Sequence, residues 1–255
     1  MRNEVILEGV YGGDRTHAQS AWTSTSRELT DKKIARMDKL IDKLMRDKHH
    51  TPFEKSAIHF VVRTDIATHI HILKHRIGVS TNGESARYKE LGERKGFGLD
   101  RFYVPDDWPE HMRMDLAQHA MSCYEKYHRT INILIDEGFT RKRAKESARF
   151  YLPYATQIRA DVMFNFRSFL HFMILRASED AQREIQVIAN EMRRQLENHT
   201  PAFKMTFAAF DKMVRLERTK DALFDELCRS GLVDDEMSLE DILSTVKTLM
   251  INARD

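Results

Sequence analysis

The scarcity of chain-breaking residues constrains the fold of this sequence more than any other feature. Only five prolines and ten glycines occur in 255 residues. Because these residues most often end or bend regular structure, their scarcity favours long helices. The predicted helices share apolar residues at helical spacing and are Asp31–Asp47, Ile66–Ile77, Glu110–Glu137, Arg141–Tyr151, Arg167–Arg176, Asp180–Asn198 and Ala202–Arg229. A capping box at Ser238–Asp241 predicts one more helix after it.

Extended segments are few and short. Val5–Leu7 predicts a first strand that ends at Gly12 and Gly13, and the β-rich segment Ser56–Arg63 predicts a second. The mixed pattern of Tyr154–Phe166 is compatible with a further extended segment. No repeat, low-complexity segment or linker divides the chain, so we expect a helix-rich single domain of the α+β class with a small sheet.

Charge and cysteine content narrow the classes of function. The 41 Lys and Arg residues against 39 Asp and Glu leave a net charge of +2, so any anion site must be local. Cys123 and Cys228 lie in helical stretches without the paired spacing of a disulfide framework or a zinc knuckle. The chain also lacks a signal-peptide pattern and an apolar run of membrane-spanning length. We therefore expect a soluble, cytoplasmic protein without a membrane or nucleic-acid partner.

The segment Lys74–Tyr88 carries most of the functional information. Three cationic or imidazole side chains are followed by Ser-Thr-Asn-Gly, for which we predict a turn, and by Ser-x-Arg. Asn and Gly tolerate positive φ, so the backbone can bend there and present its N–H groups. Hydroxyl groups and Arg side chains beside such a turn suit a phosphate. The alternative is a solvated basic helix end that runs into a loop.

Three other segments have chemistry of the same kind. His49–Glu54 places a hydroxyl and a carboxylate three residues apart around a proline, although an ordinary helix-to-strand connection has the same features. Arg167 and His171 share a helix face at i,i+4 spacing. Arg176 lies near the end of that helix, where an arginine also compensates the helix dipole. Ala181–Ile185 follows and is otherwise typical of an amphipathic surface.

Together, in this order, the segments resemble the motifs of the flavin-dependent thymidylate synthases. The family's Arg-His-Arg and Ser-x-Arg-Tyr hallmark is matched by Lys74–Arg76 and Ser85–Tyr88. The other matches are a His-x-Thr-Pro-Phe-Glu turn at His49–Glu54, an Ala-Arg-x-x-Leu-Pro segment at Ala148–Pro153, the Asn-x-Arg-Ser, Leu-Arg-Ala and Ala-Gln-x-Glu-Ile motifs within Asn165–Ile185, and a faint Ala-Arg-Val-Ser match at Ala21–Ser24. The resemblance covers roughly residues 1–215, which leaves 216–255 as a helical C-terminal extension.

Four departures from the family pattern lie on the nucleotide side. Lys74 replaces an arginine, and eight residues, one more than usual, separate Arg76 from the serine that follows in the hallmark. Gly83 stands where the family usually has a glutamate, and the next residue, Glu84, is a candidate replacement. His71 takes the place of a common glutamine.

The resemblance implies a fold of the thymidylate-synthase-complementing type, with a mainly antiparallel sheet. It also implies an FAD enzyme that methylates C5 of dUMP, takes the carbon from methylenetetrahydrofolate, uses NADPH as reductant and works as a homotetramer. The residues that it assigns to the cofactor are Ser24, Thr51, Lys74, His75, Arg76, Glu84, Asn165, Arg167 and His171. The residues that it assigns to the nucleotide are His71, Lys74, Ser85, Ala86, Arg87, Arg149 and Arg176, of which Arg176 is also catalytic.

Other functions stay open from the sequence. The same scaffold can methylate UMP or place a hydroxymethyl group on dUMP, and a non-catalytic binder of nucleotide or nucleic acid is a further alternative. His71 and His75, with His69, are at a spacing that also suits a metal. Neither cysteine lies near an anion-binding segment, so activation by a fixed cation is favoured over covalent attack by a thiolate.

Overall fold

The computed structural model describes residues 3–88, 90–91, 102–232, 234 and 237–252. Four strands form one sheet in the order β1-β2-β4-β3, and all neighbouring strands are antiparallel. The strands are β1 (Glu4–Tyr11), β2 (Ala57–Asp65), β3 (Val79–Gly83) and β4 (Gln157–Phe164). The helix-rich α+β class with a small antiparallel sheet is thereby confirmed.

Helices make up most of the remaining described chain. The bounds of the α-helices are α1 (Asp14–Trp22), α2 (Asp31–Ile34), α3 (Met37–Arg46), α4 (Ile66–Leu73), α5 (Glu110–Asp136), α6 (Arg141–Ala148), α7 (Phe166–Arg176), α8 (Arg183–His199), α9 (Lys204–Arg229) and α10 (Leu239–Asn252). Short 3₁₀ turns occur at Thr51–Glu54, Arg149–Tyr151 and Pro201–Phe203.

One face of the sheet is apolar and is covered by α7. Alternate residues of β2 are buried, as period-two alternation requires for a sheet with one core face. On this face, Phe169 of α7 stacks on Phe60 with ring centroids 5.9 Å apart. The same ring meets Phe164 edge-on at 5.7 Å. Because this side of α7 is fixed in the core, its opposite side can present polar residues.

Two side-chain caps set where helices α4 and α7 begin. The Asp65 carboxylate accepts the Thr68 N–H at 2.8 Å and starts α4 directly after β2. Asn165 accepts the Ser168 N–H at 2.8 Å and starts α7 directly after β4. Short polar residues favour such cap positions because they satisfy an N–H group that has no partner within the helix.

Three predicted elements differ from the structure. The helix predicted over Asp31–Asp47 is split into α2 and α3, and the helix predicted over Ile66–Ile77 ends at Leu73. The turn predicted at Ser80–Gly83 is wrong, because these residues belong to strand β3. β4 offers β3 a free edge, and the turn is made earlier, at Gly78, where φ is 67°.

The chain divides into two compact units. The first extends to Met37 and resumes at His50–Phe203, and it contains the whole sheet. The second comprises Asp38–His49 and the chain from Lys204 onward. Within this second unit, ion pairs join Lys212 to Asp42 at 2.9 Å and Lys48 to Glu217 at 3.1 Å. The boundary predicted at residue 215 falls inside α9, and the assignment of an extension beyond it stays a prediction.

Two further findings concern the helices. One bond of the predicted capping box is present at the last helix, where the Ser238 hydroxyl accepts the Asp241 N–H at 3.2 Å. In the described part of the chain, no helix combines the length and the apolarity needed to cross a membrane.

A buried histidine anchors the Thr51–Glu54 turn to the core. His17 is fully buried against the rings of Phe53, Phe166 and Phe203, at centroid distances of 5.2, 5.4 and 5.7 Å. Its Nε2 lies 2.9 Å from the Ser56 hydroxyl oxygen. Burial lowers the pKa of His17 from 6.5 to about 3, because the charged form loses its hydration.

We expect this histidine to make the fold acid-sensitive. The unfolded chain binds a proton below pH 6.5 and the folded chain does not, so the free energy of unfolding falls as pH falls from 6.5 towards 3. The contribution lost between pH 7 and pH 5 is on the order of 2 kcal/mol. Urea titrations at both pH values should show a smaller loss for His17→Gln than for wild type. His111→Gln, at an exposed position, is the control, and equal losses in all three proteins would contradict the prediction.

Candidate active site

The first half of the hallmark segment is fixed on the start of α7. The Asn165 N–H donates to the Gly78 carbonyl at 3.0 Å. The Ser168 hydroxyl donates to the Ile77 carbonyl at 2.7 Å. The hallmark segment and the Asn-x-Arg-Ser motif, which are far apart in sequence, therefore meet through two hydrogen bonds to backbone carbonyls.

A histidine–arginine pair lies at the centre of this region. Arg176 donates from Nε to Nε2 of His75 at 3.0 Å. The His75 ring also packs edge-on against Phe172 at 5.0 Å and against His171 at 5.8 Å. Burial lowers the pKa of His75 to about 4, and the charges of Arg176 and His171 act in the same direction. At neutral pH the imidazole is therefore uncharged, with its proton on Nδ1 and an acceptor at Nε2.

Two exposed cations flank His75. Lys74 and Arg76 are both exposed, and neither forms an ion pair with another described residue. Exposed ammonium and guanidinium groups without an ion-pair partner are available to an anion, so the pair is suited to bind phosphate.

The proline turn joins the same region through α7. Arg167 forms an ion pair with Glu54, the last residue of the 3₁₀ turn that begins at Thr51. Glu54 also lines an open cleft of about 540 Å³, together with Thr23 and Arg27. Ser24 is exposed beside this cleft and donates its hydroxyl to the Ala21 carbonyl at 3.2 Å.

The second half of the hallmark, Ser85–Tyr88, contacts side chains of helix α6. Arg87 donates from Nε to Glu146 at 2.7 Å, and Lys145 donates to the Tyr88 carbonyl at 3.0 Å. The Ser85 hydroxyl accepts the Arg87 N–H at 3.3 Å and closes a tight turn around Ala86. The last site residue of this group, Arg149, is exposed directly after α6, so all of these groups share one helix as their support.

Glu84 continues the pairing of β3 with β4. Its N–H donates to the Arg159 carbonyl at 2.8 Å, and its carboxylate accepts the Arg159 N–H at 3.2 Å. Gly83 is a strand residue that lacks a positive φ. The turn predicted to end at Gly83 is therefore absent here, while a cofactor role for Glu84 stays a prediction.

A polar network around His71 was missed from the sequence. Nε2 of His71 lies 3.0 Å from the Gln182 side-chain oxygen. The Gln182 amide donates to Glu184 at 2.7 Å, and the Tyr103 hydroxyl donates to the same carboxylate at 3.2 Å. Burial, followed by the charge of Glu184, raises the pKa of Tyr103, so its hydroxyl stays protonated. The Ala-Gln-x-Glu-Ile motif was the available signal, since it contains both Gln182 and Glu184.

The structure also bears on the two other sites considered from the sequence, a metal site and a reactive cysteine. The described residues include no group of three histidine, cysteine or acidic side chains arranged to hold a metal. Cys123 and Cys228 are half-buried and are not disulfide-bonded, and the sulfur of Cys123 lies 3.5 Å from Nε2 of His119 on α5.

Comparison with known proteins identifies the relatives of this chain. The family model "Thymidylate synthase complementing protein" matches residues 6–202. A flavin-dependent thymidylate synthase from Pseudothermotoga lettingae is 34% identical over 195 residues, which are 74% of this chain and 82% of the relative. A flavin-dependent thymidylate synthase from Thermosipho melanesiensis is 31% identical over 222 residues, which are 81% of this chain and 89% of the relative.

Solved structures agree with these relatives. The UMP/dUMP methylase PolB from Streptomyces cacaoi, bound with 5-Br dUMP, has a TM-score of 0.64 and 28% identity, and the match covers 82% of this chain and 95% of that one. The same methylase bound with 5-Br UMP has a TM-score of 0.65 and 27% identity, with 83% and 94% covered. The chain therefore belongs to the flavin-dependent thymidylate synthases, a family of methyltransferases.

Proposed function

We propose that this chain methylates C5 of dUMP, with FAD as cofactor, methylenetetrahydrofolate as carbon donor and NADPH as reductant. The observation that carries the proposal is the buried, neutral His75 that holds Arg176 in place. The names of the relatives support the reaction class. We also propose a cytoplasmic homotetramer, which a native mass of four chains would support.

The donor set of the hallmark fits a flavin dinucleotide. The pyrophosphate of FAD needs several converging donors, and Lys74 and Arg76 supply two exposed cations without a described ion-pair partner. When bound, FAD would supply the hydride chemistry, while the protein supplies orientation and charge. The full set proposed to hold it is Ser24, Thr51, Lys74, His75, Arg76, Glu84, Asn165, Arg167 and His171.

The nucleotide is assigned to the second half of the hallmark. Ser85 and Arg87 lie in a tight turn that contacts helix α6, and Arg149 follows that helix in the chain. Hydroxyl and guanidinium donors of this kind suit the phosphate of a nucleotide. His71, Lys74, Ala86 and Arg176 complete the proposed set.

Arg176 is proposed to activate the pyrimidine ring. C5 of uracil becomes nucleophilic as negative charge develops on the ring, and a fixed cation stabilises that charge. A guanidinium does not give up its proton, so Arg176 acts by charge and hydrogen bonding. His75 accepts a hydrogen bond from the Arg176 Nε–H and stays neutral above a pKa of about 4, which keeps Arg176 oriented at physiological pH.

Titration with FAD tests the cofactor assignment. The purified full chain should quench flavin fluorescence, gain thermal stability with FAD and retain yellow colour that denaturation and filtration remove. Arg76→Ala should weaken FAD binding, whereas Arg129→Ala, at an exposed position of α5, should leave it unchanged. A wild-type chain that shows none of the three signals would overturn the proposal.

UMP is the second candidate substrate. The observation that favours it is Gly83, a small residue on the nucleotide side where the family usually has a glutamate. The structural neighbour is named as a methylase of both UMP and dUMP, which supports the same breadth for this chain.

We expect turnover to be independent of both cysteines. Cys123 and Cys228 lie on α5 and α9, and the proposed activation of C5 needs no thiolate. The double variant with both cysteines changed to Ala should keep turnover within about threefold of wild type, since removing half-buried thiols chiefly affects packing. Loss of all activity in a well-folded double variant would restore the covalent route.

A further inference from the structure

The side chain missing at Gly83 leaves a buried histidine facing outward. Gly83 is exposed and is the last residue of edge strand β3. A Cβ atom at this position would lie 3.6 Å from Nε2 of His69 and 3.8 Å from the Cβ of Ala160. These are ordinary contact distances, so the space fits one extra atom of methyl or hydroxyl size. His69 itself is only 7% exposed.

His69 lacks the hydrogen bonds that a buried imidazole needs. Its Nδ1 is buried without a partner in the described part of the chain. The other ring nitrogen, Nε2, is the one that faces Gly83, and no hydrogen bond joins it to a described residue. A largely buried imidazole is rarely left without hydrogen bonds, so Nε2 is available to a ligand or a water. Nearby, Thr68 and Gln157 also have buried side-chain atoms without a partner. Several buried polar side-chain atoms without a hydrogen-bond partner therefore lie near the start of α4.

The electrostatics favour a neutral ligand group. Burial lowers the pKa of His69, and this outweighs the opposite effect of Asp65. The uncharged ring carries one donor and one acceptor nitrogen, and either tautomer can pair with a hydroxyl. A phosphate would gain little from a neutral imidazole, and the proposed phosphate donors, Ser85 and Arg87, lie two and four residues beyond Gly83.

We infer that His69 and Gly83 form a subsite for the 2′-hydroxyl group of a ribonucleotide, so that the chain binds UMP as well as dUMP. The inference rests on the proposed function, since the ribose lies next to the phosphate that Ser85 and Arg87 would hold. The position that a Cβ of residue 83 would occupy lies 3.6 Å from Nε2. A hydroxyl oxygen bound slightly closer to His69 than this position would reach the usual hydrogen-bond distance of about 2.9 Å. His69 then acts as a specificity-determining residue, because UMP and dUMP differ only at this hydroxyl.

Two substitutions test the subsite from opposite sides. Gly83→Ala fills the space at an ordinary contact distance, and His69→Phe keeps an aromatic ring but removes both nitrogens. Gly9→Ala is the matched control, because Gly9 is also a strand glycine and nothing lies within 4 Å of its added Cβ. UMP and dUMP are titrated calorimetrically into each FAD-loaded full chain, and thermal unfolding verifies that each variant is folded.

The ratio of the two dissociation constants is the decisive quantity. In wild type we expect the Kd of UMP to lie within about tenfold of that of dUMP. Gly83→Ala and His69→Phe should each raise the Kd of UMP three- to tenfold, roughly the effect of one hydrogen bond, and leave that of dUMP within about twofold. A ratio unchanged in both variants, or a wild type that binds dUMP but not UMP, would overturn the inference alone. A wild type that binds neither nucleotide would overturn the proposed function with it.

Discussion

Replacing Arg176 with Ala should lower kcat by roughly 100- to 1,000-fold, which is the usual effect of removing one preorganised donor at a developing charge. The reason lies in the geometry: Nε is bound to His75, and no described residue forms an ion pair with the terminal nitrogens of Arg176. An interaction made chiefly in the transition state changes kcat more than substrate binding. Flavin affinity should stay within a few fold of wild type.

Two further variants separate charge from position. Arg176→Lys keeps the charge but loses the planar group that bonds to His75, so its kcat should lie between those of wild type and Arg176→Ala. Arg194→Ala removes an arginine that is ion-paired with Glu191 on α8 and should leave kcat unchanged. Steady-state kinetics on flavin-loaded protein measures all three. An Arg176→Ala enzyme within a few fold of wild type would remove this residue from the mechanism.

Much of the fold was predictable because the relevant signals are local. The apolar periodicity of α5 placed its ends within one residue, and the β-rich pattern of Ser56–Arg63 located β2. The approximate position of α7 followed from the same periodicity. Such patterns succeed where one face of an element is buried, since burial imposes the period on the sequence.

The errors occur where pairing partners are distant in sequence. Ser-Thr-Asn-Gly has turn composition, yet it forms β3 because the edge of β4, about eighty residues later, supplies its hydrogen bonds. Helix α4 ends at Leu73 and not at Ile77 as predicted, because Ile77 and Gly78 are held by hydrogen bonds to α7 and the residue before it. No local pattern contains that information.

The candidate site shows the same division. The motifs identified Arg176 and His75 individually, but their mutual hydrogen bond and the low pKa of His75 depend on tertiary packing. The outward-facing His69 was equally hidden, because its significance depends on the absence of a side chain at Gly83.

Replacing Gly78 with Ala should destabilise the fold strongly and disrupt the proposed flavin site. Its φ of 67° is unfavourable for any residue with a Cβ. That Cβ would also lie 2.3 Å from both the Asn165 amide nitrogen and the Ser168 hydroxyl oxygen, far inside contact distance. Moving Asn165 breaks the cap of α7, which adds about 1 kcal/mol to the backbone strain. We expect a total loss of roughly 2–4 kcal/mol in the free energy of unfolding.

Two other glycines separate the causes of this loss. Gly138 has a φ of 89° and nothing within 4 Å of an added Cβ, so Gly138→Ala carries the strain without the clash. Gly83→Ala carries neither, since its Cβ meets only ordinary contacts and its φ is not positive. Urea unfolding should therefore rank Gly78→Ala as the least stable, Gly138→Ala as intermediate and Gly83→Ala as close to wild type. Weakened FAD binding should accompany only Gly78→Ala, because Asn165 and the neighbouring Arg76 are displaced together. If Gly78→Ala were no less stable than Gly138→Ala, the close packing of this loop against α7 would not be what holds the site.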